Sequence, residues 1–200
     1  MTGVSRRRVL VLAAGAMALA AMPAVVLAAD FAATARQFIE SAVAQARADA
    51  AQVKASGDAR TRFTRIFAQS FDDDALARAV LGSRWNALNP AQQRDFRAAF
   101  ETYIAKSYAD RFYTYAGQPM TVVATEPAAD GRVLVRTRVT MPGSGNQTPV
   151  DWQVSQVGSE PRISDVAIDG VSLIRTHRDE FASVIQANGG DAGKLTALLE

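Results

Sequence analysis

Few groups in this chain could carry out covalent chemistry. It has no cysteine and one histidine, so a thiolate nucleophile is excluded and a serine or threonine would find only one imidazole to act as its base. That histidine, His177, stands between Thr176 and Arg178 and is followed by Asp179 and Glu180. Such a neighbourhood reads as a solvated helical surface. One imidazole with no second histidine at helical spacing does not make a metal site. Asp72-Asp73-Asp74 sets three carboxylates in a row, but acids at a helix start are explained by capping and by the positive end of the helix dipole. Asp165 and Asp169 share one face of an extended segment but stand well apart, and nothing indicates paired acid–base work. The Gly143/Gly145 loop lacks the lysine and the following helix of a phosphate cradle, so it reads as a hairpin loop. The residues describe a protein that is not an enzyme and uses no metal and no cofactor.

What the chain has in abundance is apolar surface at regular spacing. From Asp30 to about Tyr115 the period is helical. Phe31 to Val53 is alanine-rich, with inward positions near Phe31, Ala35, Phe38, Ala42, Ala46 and Val53. Ser56-Gly57-Asp58 breaks it and offers an N-cap. A short helix with Phe63, Ile66, Phe67 and Ser70 follows, then one opened by the aspartates and stopped at Gly82. Asn89-Pro90-Ala91-Gln92 predicts a capped start with proline at the first helical position. The helix it opens carries an aromatic stripe of Phe96, Phe100, Tyr103, Ile104, Tyr108, Phe112 and Tyr115.

The period then falls to two. Thr121–Glu126, Arg132–Met141, Val150–Val157 and Ile163–Ile168 predict four short strands, with a turn at Asp130-Gly131 between the first two. Val133, Val135, Thr137, Val139 and Met141 take one face of the second strand, while Arg132, Arg136 and Arg138 take the other with Leu134. Short connections imply an antiparallel meander whose apolar face the helices must cover. Two closing helices are expected, Leu173–Asn188 and one bearing Leu195, Leu198 and Leu199. The fold class is α+β: a twisted antiparallel sheet of about four strands packed against several wrapping helices.

Residues 1–29 form a targeting segment, and 30–200 a single domain. Arg6-Arg7-Arg8 is a positive start, Val9 to Met22 is apolar and uncharged, and small residues lead to cleavage near Ala28 or Ala29. Ser5-Arg6-Arg7-Arg8-Val9-Leu10 matches a twin-arginine signal as well as an arginine-rich Sec signal. Removing the segment takes three arginines from the 22 basic residues and none of the 20 acidic ones. The exported chain is then near neutral, and the whole-chain pI of 9.2 is not a nucleic-acid footprint. The expected location is the periplasm.

Two separated motifs give a resemblance. Phe71-Asp72, Val80-Leu81-Gly82 with Trp85, Gln92/Gln93, Phe96, Phe100, Tyr108 and Phe112-x-x-Tyr115-x-Gly117 resemble the MlaC or toluene-tolerance family. So does Asp165-Val166-Ala167-Ile168-Asp169-Gly170-Val171-Ser172-Leu173, followed by Arg178-x-x-Phe181 and Gly189-Gly190. Pro161 and His177 depart from the family pattern, where Trp and Tyr are common.

The resemblance implies a soluble periplasmic carrier of phospholipid. Its partners would be an inner-membrane ABC transporter with an MCE-domain subunit and an outer-membrane lipoprotein complex, with no nucleic acid. Acyl chains would occupy a cavity between the helical layer and the sheet. Combined with the periodicity, it places the tails between Phe96, Phe100, Tyr103, Ile104 and Tyr108 on one side and Val133, Val135, Val139, Trp152 and Val154 on the other. Trp85, Val166, Ile168, Val171 and Leu173 complete the expected lining. The alternatives are a hopanoid-binding relative, a small α+β isomerase or hydratase with a titratable group in the cavity, and a ligand-free adaptor with a closed core.

Overall fold

The computed structural model describes residues 24–199. The charged start and apolar run of the expected signal, Arg6 to Met22, lie outside the described residues. Helices come first, then a meander, then two more helices.

Helix α1 (Ala24–Ser56) runs through the expected cleavage point and turns Ala35, Ile39 and Ala46 inward. Helix α2 (Ala59–Ser70) buries Phe63, Ile66, Phe67 and Ser70, the predicted stripe. Asp58 precedes it but makes no cap hydrogen bond. Its carboxylate is taken instead by the Arg62 Nε–H at 2.8 Å. Helix α3 (Asp73–Leu81) is capped by Asp72, which accepts from the Ala75 N–H at 3.0 Å.

The helix ends at Gly82, with φ 57° and ψ −132°, a backbone state that L side chains avoid. A Cβ there would also lie 3.0 Å from the Arg178 guanidinium. That group is the mobile end of a side chain and can withdraw, so backbone strain dominates. Gly82→Ala should therefore cost about 1–3 kcal/mol, read as a lower urea midpoint with an unchanged slope.

Helix α4 (Pro90–Ala116) carries the full capping box. Asn89 accepts from Ala91 and Gln92 N–H groups, and Gln92 accepts from the Asn89 N–H at 2.9 Å. Strands β1 (Met120–Pro127), β2 (Val133–Thr140), β3 (Gln147–Val157), β4 (Glu160–Ile168) and β5 (Val171–Ser172) pair antiparallel in chain order. The sheet thus has the four expected strands plus a fifth. Two residues are too few to show an alternation, which is why β5 was not legible. Helices α5 (Leu173–Ala187) and α6 (Ala192–Leu199) close the chain.

Alternation along β2 is as predicted: Val133, Val135, Thr137 and Val139 are buried. Register sets Val133, Val135 and Thr137 opposite Val154, Trp152 and Val150, which builds one apolar face. On the other face Arg136 pairs with Glu126 at 3.2 Å and Asp151 at 3.0 Å, partly exposed contacts worth under ~1 kcal/mol each.

The apolar residues form two clusters. One is helical, built from α2, α3, α4, α5 and α6 with Trp85 and with Ala46 from the C-terminal half of α1. The other is Ala35 and Ile39 of α1 against Val133, Val135, Val154, Ile163 and Val166 of the sheet. The expectation that the α4 stripe faces the sheet is therefore corrected: α1 takes that place. Alanines let a helix approach a pleated surface closely, whereas the α4 aromatics need deep partners, which they find on α5 and α2.

Candidate functional site

The residues expected to line a common cavity fall into three places. Trp85, Phe96, Phe100 and Ile104 are buried inside the helical cluster, with Tyr103 and Tyr108 packed on its edge. Phe96 stacks on Phe100 at 5.9 Å and meets Phe181 edge-on at 6.4 Å. Val133, Val135, Val154 and Val166 are buried on the sheet, with Trp152 and Leu173 half-buried against them. Val139 is buried at the far end of β2. Ile168 and Val171, paired at the β4–β5 hairpin, are 43% and 59% exposed. The structure keeps Phe96, Phe100, Tyr103, Ile104 and Tyr108 apart from the sheet face; of the stripe, Phe112 meets Trp152 and Ile163.

What lies between the two clusters is a narrow cleft of about 30 Å³. Ile39, Ala42, Val43 and Ala46 of α1 form one side, and Trp152 and Ile163 of the sheet form another. Ile66, Ser70, Phe71 and Phe112 close it from the helical layer. Phe71 packs against both clusters and stacks on Phe67 at 4.7 Å. The next residue ties the layers together, its Asp72 N–H donating to the Ile163 carbonyl at 3.0 Å. Apart from Ser70 the lining is apolar, and its indole N–H is satisfied out of the way. Trp152 Nε1–H donates to Thr137 Oγ1 at 3.1 Å, and the Thr137 hydroxyl donates to the Val150 carbonyl. A space this size holds about one water, whereas ligand pockets run to ~300 Å³ and above. The seam is shut in this conformation.

Of the cleft residues, Trp152 was expected from sequence. Of the helix-side members, the spacing of α1 predicts only that Ala42 and Ala46 face inward, which a plain core position shares.

The titratable candidates have structural work. His177 is 3% exposed, which corrects its reading as a solvated residue. Its neighbours 176 and 178–180 point outward, while His177, Phe181 and Ile185 recur every four residues and turn inward. The Tyr108 hydroxyl lies 2.9 Å from Nε2 and Glu180 lies 3.2 Å from Nδ1. The imidazole borders neither the cleft nor the groove along β1, so it gives the isomerase or hydratase reading no support. Asp165 accepts from the Val166 N–H at 2.7 Å, the Ile174 N–H at 3.3 Å and the Ser172 hydroxyl. Ser172 in turn caps α5 through the Arg175 N–H. Asp169 and Gly170 have φ 52° and 79°, the left-handed pair that a tight hairpin requires. The Asp165–Leu173 motif is thus a folding device at the β4–β5–α5 corner. Among the described residues, no group of three or more His, Asp or Glu could hold a metal.

An ion network centred on the buried Asp49 ties the other half of α1 to α2. Asp49, 5% exposed at its side chain, lies 3.5 Å from Arg62 and 3.3 Å from Arg65 of α2, and Gln45 donates to it at 3.3 Å. Close by, the Tyr113 hydroxyl is buried with no partner among the described residues. Burial first, then the Asp49 charge, pushes its pKa up to about 12. Below pH ~10 both folded and unfolded forms keep the proton. Above it the unfolded chain ionises first, so stability falls as pH rises from 10 towards 12. Tyr113→Phe should raise stability by about 1 kcal/mol at neutral pH and lose less than wild type at pH 11, checked by denaturant melts at both values.

Comparison with known proteins agrees with this architecture. A family model described as MlaC protein matches residues 36–200. Toluene tolerance protein ttg2D of Pseudomonas putida is 27% identical over 134 residues, 65% of this chain and 60% of that protein. A phospholipid-binding protein from Ralstonia solanacearum, solved in complex with a phospholipid, aligns with a TM-score of 0.69 at 24% identity. That alignment covers 82% of this chain and 94% of the other, and at this identity it speaks to the fold. The family match runs from the sheet-facing turns of α1 to the end of the sequence and takes in both motifs, and on that ground the chain belongs to the MlaC family.

Proposed function

We propose that the protein is a non-enzymatic periplasmic carrier whose phospholipid tails enter the seam between α1 and the sheet. The observation that carries this is the composition of the cleft, with apolar groups from α1, α2, α4 and two strands meeting along a seam that is closed in this conformation. A phospholipid brings roughly 30 methylenes, and at ~0.8 kcal/mol each a bare crossing of water costs on the order of 20 kcal/mol. A carrier must offer apolar surface that is easily uncovered and needs no nucleophile. The face of α1 that meets the sheet mixes Ala32 and Ala35 with Phe31, Phe38, Ile39 and Val43, so parting it from the sheet uncovers apolar surface on both sides for the tails to cover. Tails would then lie along Val135, Trp152, Val154 and Val166, with Ile39 and Ala42 opposite. The α4 aromatics would serve as the rigid body behind them.

The carrier would load and unload at an outer-membrane lipoprotein complex and an inner-membrane ABC transporter with an MCE-domain subunit. The phospholipid held by the Ralstonia solanacearum structure supports the ligand class. The test is lipid extraction and mass spectrometry of protein purified from its native periplasm. Diacyl phospholipid is the expected content. A polycyclic triterpenoid, or no lipid at all, would overturn the reading.

A further inference from the structure

Outside the cleft, α1 and the edge strand β1 enclose an open groove of about 340 Å³. Val43, Ala44, Met120, Thr121 and Val122 line it together with the charged Arg36, Glu40 and Arg47. Val43 belongs to both this groove and the inner cleft, so the two spaces meet at one side chain. Arg36, Glu40, Ala44 and Arg47 recur every three to four residues, which places them in one stripe beside the buried face of α1.

We propose that this groove seats the phosphate head of the bound phospholipid, with Arg36 and Arg47 as its cationic contacts. The assignment rests on the carrier reading above. Guanidinium groups bind phosphate through paired N–H donors and stay charged at any physiological pH. Arg47 is exposed and spends one N–H on the Gln118 carbonyl at 2.7 Å, an anchor that leaves its other donors free to turn to a ligand. Arg36 is half-exposed and shares its Nε–H with Glu40 at 3.0 Å. The apolar part of the lining suits the glycerol end of the tails, which must run from a solvated head into a dry seam. Glu40 acts against an incoming phosphate, because it competes for Arg36.

Opposite effects from the two kinds of charge distinguish this role from a structural one. Lipid-free protein is titrated with fluorescent dioleoyl phosphatidylglycerol and with diacylglycerol of the same chains, which lacks the phosphate. The Arg36→Gln/Arg47→Gln double variant should bind the phospholipid roughly tenfold or more weakly and the diacylglycerol as wild type does, which also shows that it is folded. Glu40→Gln should bind phosphatidylglycerol more tightly. Unchanged phospholipid affinity in the double variant, equal losses for both lipids, or weaker binding by Glu40→Gln overturns the assignment. A wild-type protein that takes up neither lipid overturns the carrier reading itself.

Discussion

Ala42→Trp protein is expected to purify folded and free of phospholipid. Ala42 lines the cleft from α1 and is only half-buried, so an indole placed there can lean partly towards solvent. Overpacking of this kind costs about 1–3 kcal/mol, which a domain of this size tolerates. Its effect on a ligand is larger. The indole would occupy the line that three or four methylenes of a tail must take, and at ~0.8 kcal/mol each their loss weakens loading on the order of 100-fold. Lipid extraction followed by mass spectrometry reads the result, with circular dichroism confirming the fold. Phospholipid content equal to wild type would place the tails elsewhere.

Phe96→Ala should do the reverse, losing stability and keeping lipid. Phe96 is fully buried and meets the rings of Trp85, Phe100 and Phe181. Truncating a buried phenylalanine removes its transfer energy and leaves a cavity that rigid aromatic neighbours cannot refill, at a cost of about 3–5 kcal/mol. Urea unfolding would show this as a large fall in midpoint, while the folded fraction still carries phospholipid. Normal stability with lost lipid would instead put Phe96 on the ligand wall. Together the two variants decide which helix the tails touch.

The pair also marks where the sequence was legible. Helix starts were read from chemistry that acts locally: the Asn89–Gln92 box and the Asp72 cap are as expected because every partner lies within four residues. Strand faces followed for the same reason, since the period of β2 alone decides which valines turn inward. Asp58 shows the limit of such reading, because a neighbouring arginine outcompeted the helix N–H groups for its carboxylate. Long-range pairing was not legible. Both α1 and α4 present an apolar face, and periodicity does not say which one meets the sheet. The larger, aromatic face was assigned there, but bulk makes it a poor partner for a flat surface and a good one for another helix. His177 departs from the solvated position its neighbours suggest because a charged local sequence can surround an inward position on a helix.

Asp49 has a mechanical consequence. A helix tied by directional contacts over one short stretch, here Arg47 and Asp49, and elsewhere by non-directional packing behaves as a lever. Asp49 is the fulcrum, since its ion pairs to Arg62 and Arg65 are directional. Phe31, at the sheet-facing N-terminal part of the helix, lies roughly 27 Å away along the axis at ~1.5 Å per residue. A rotation of about 10° about Asp49 would lift that end by roughly 5 Å, on the order of the thickness of one hydrocarbon chain, while Ala46, close to the fulcrum, would barely move. The gap would open as a wedge, so a tail would slide in along its length rather than drop in from above.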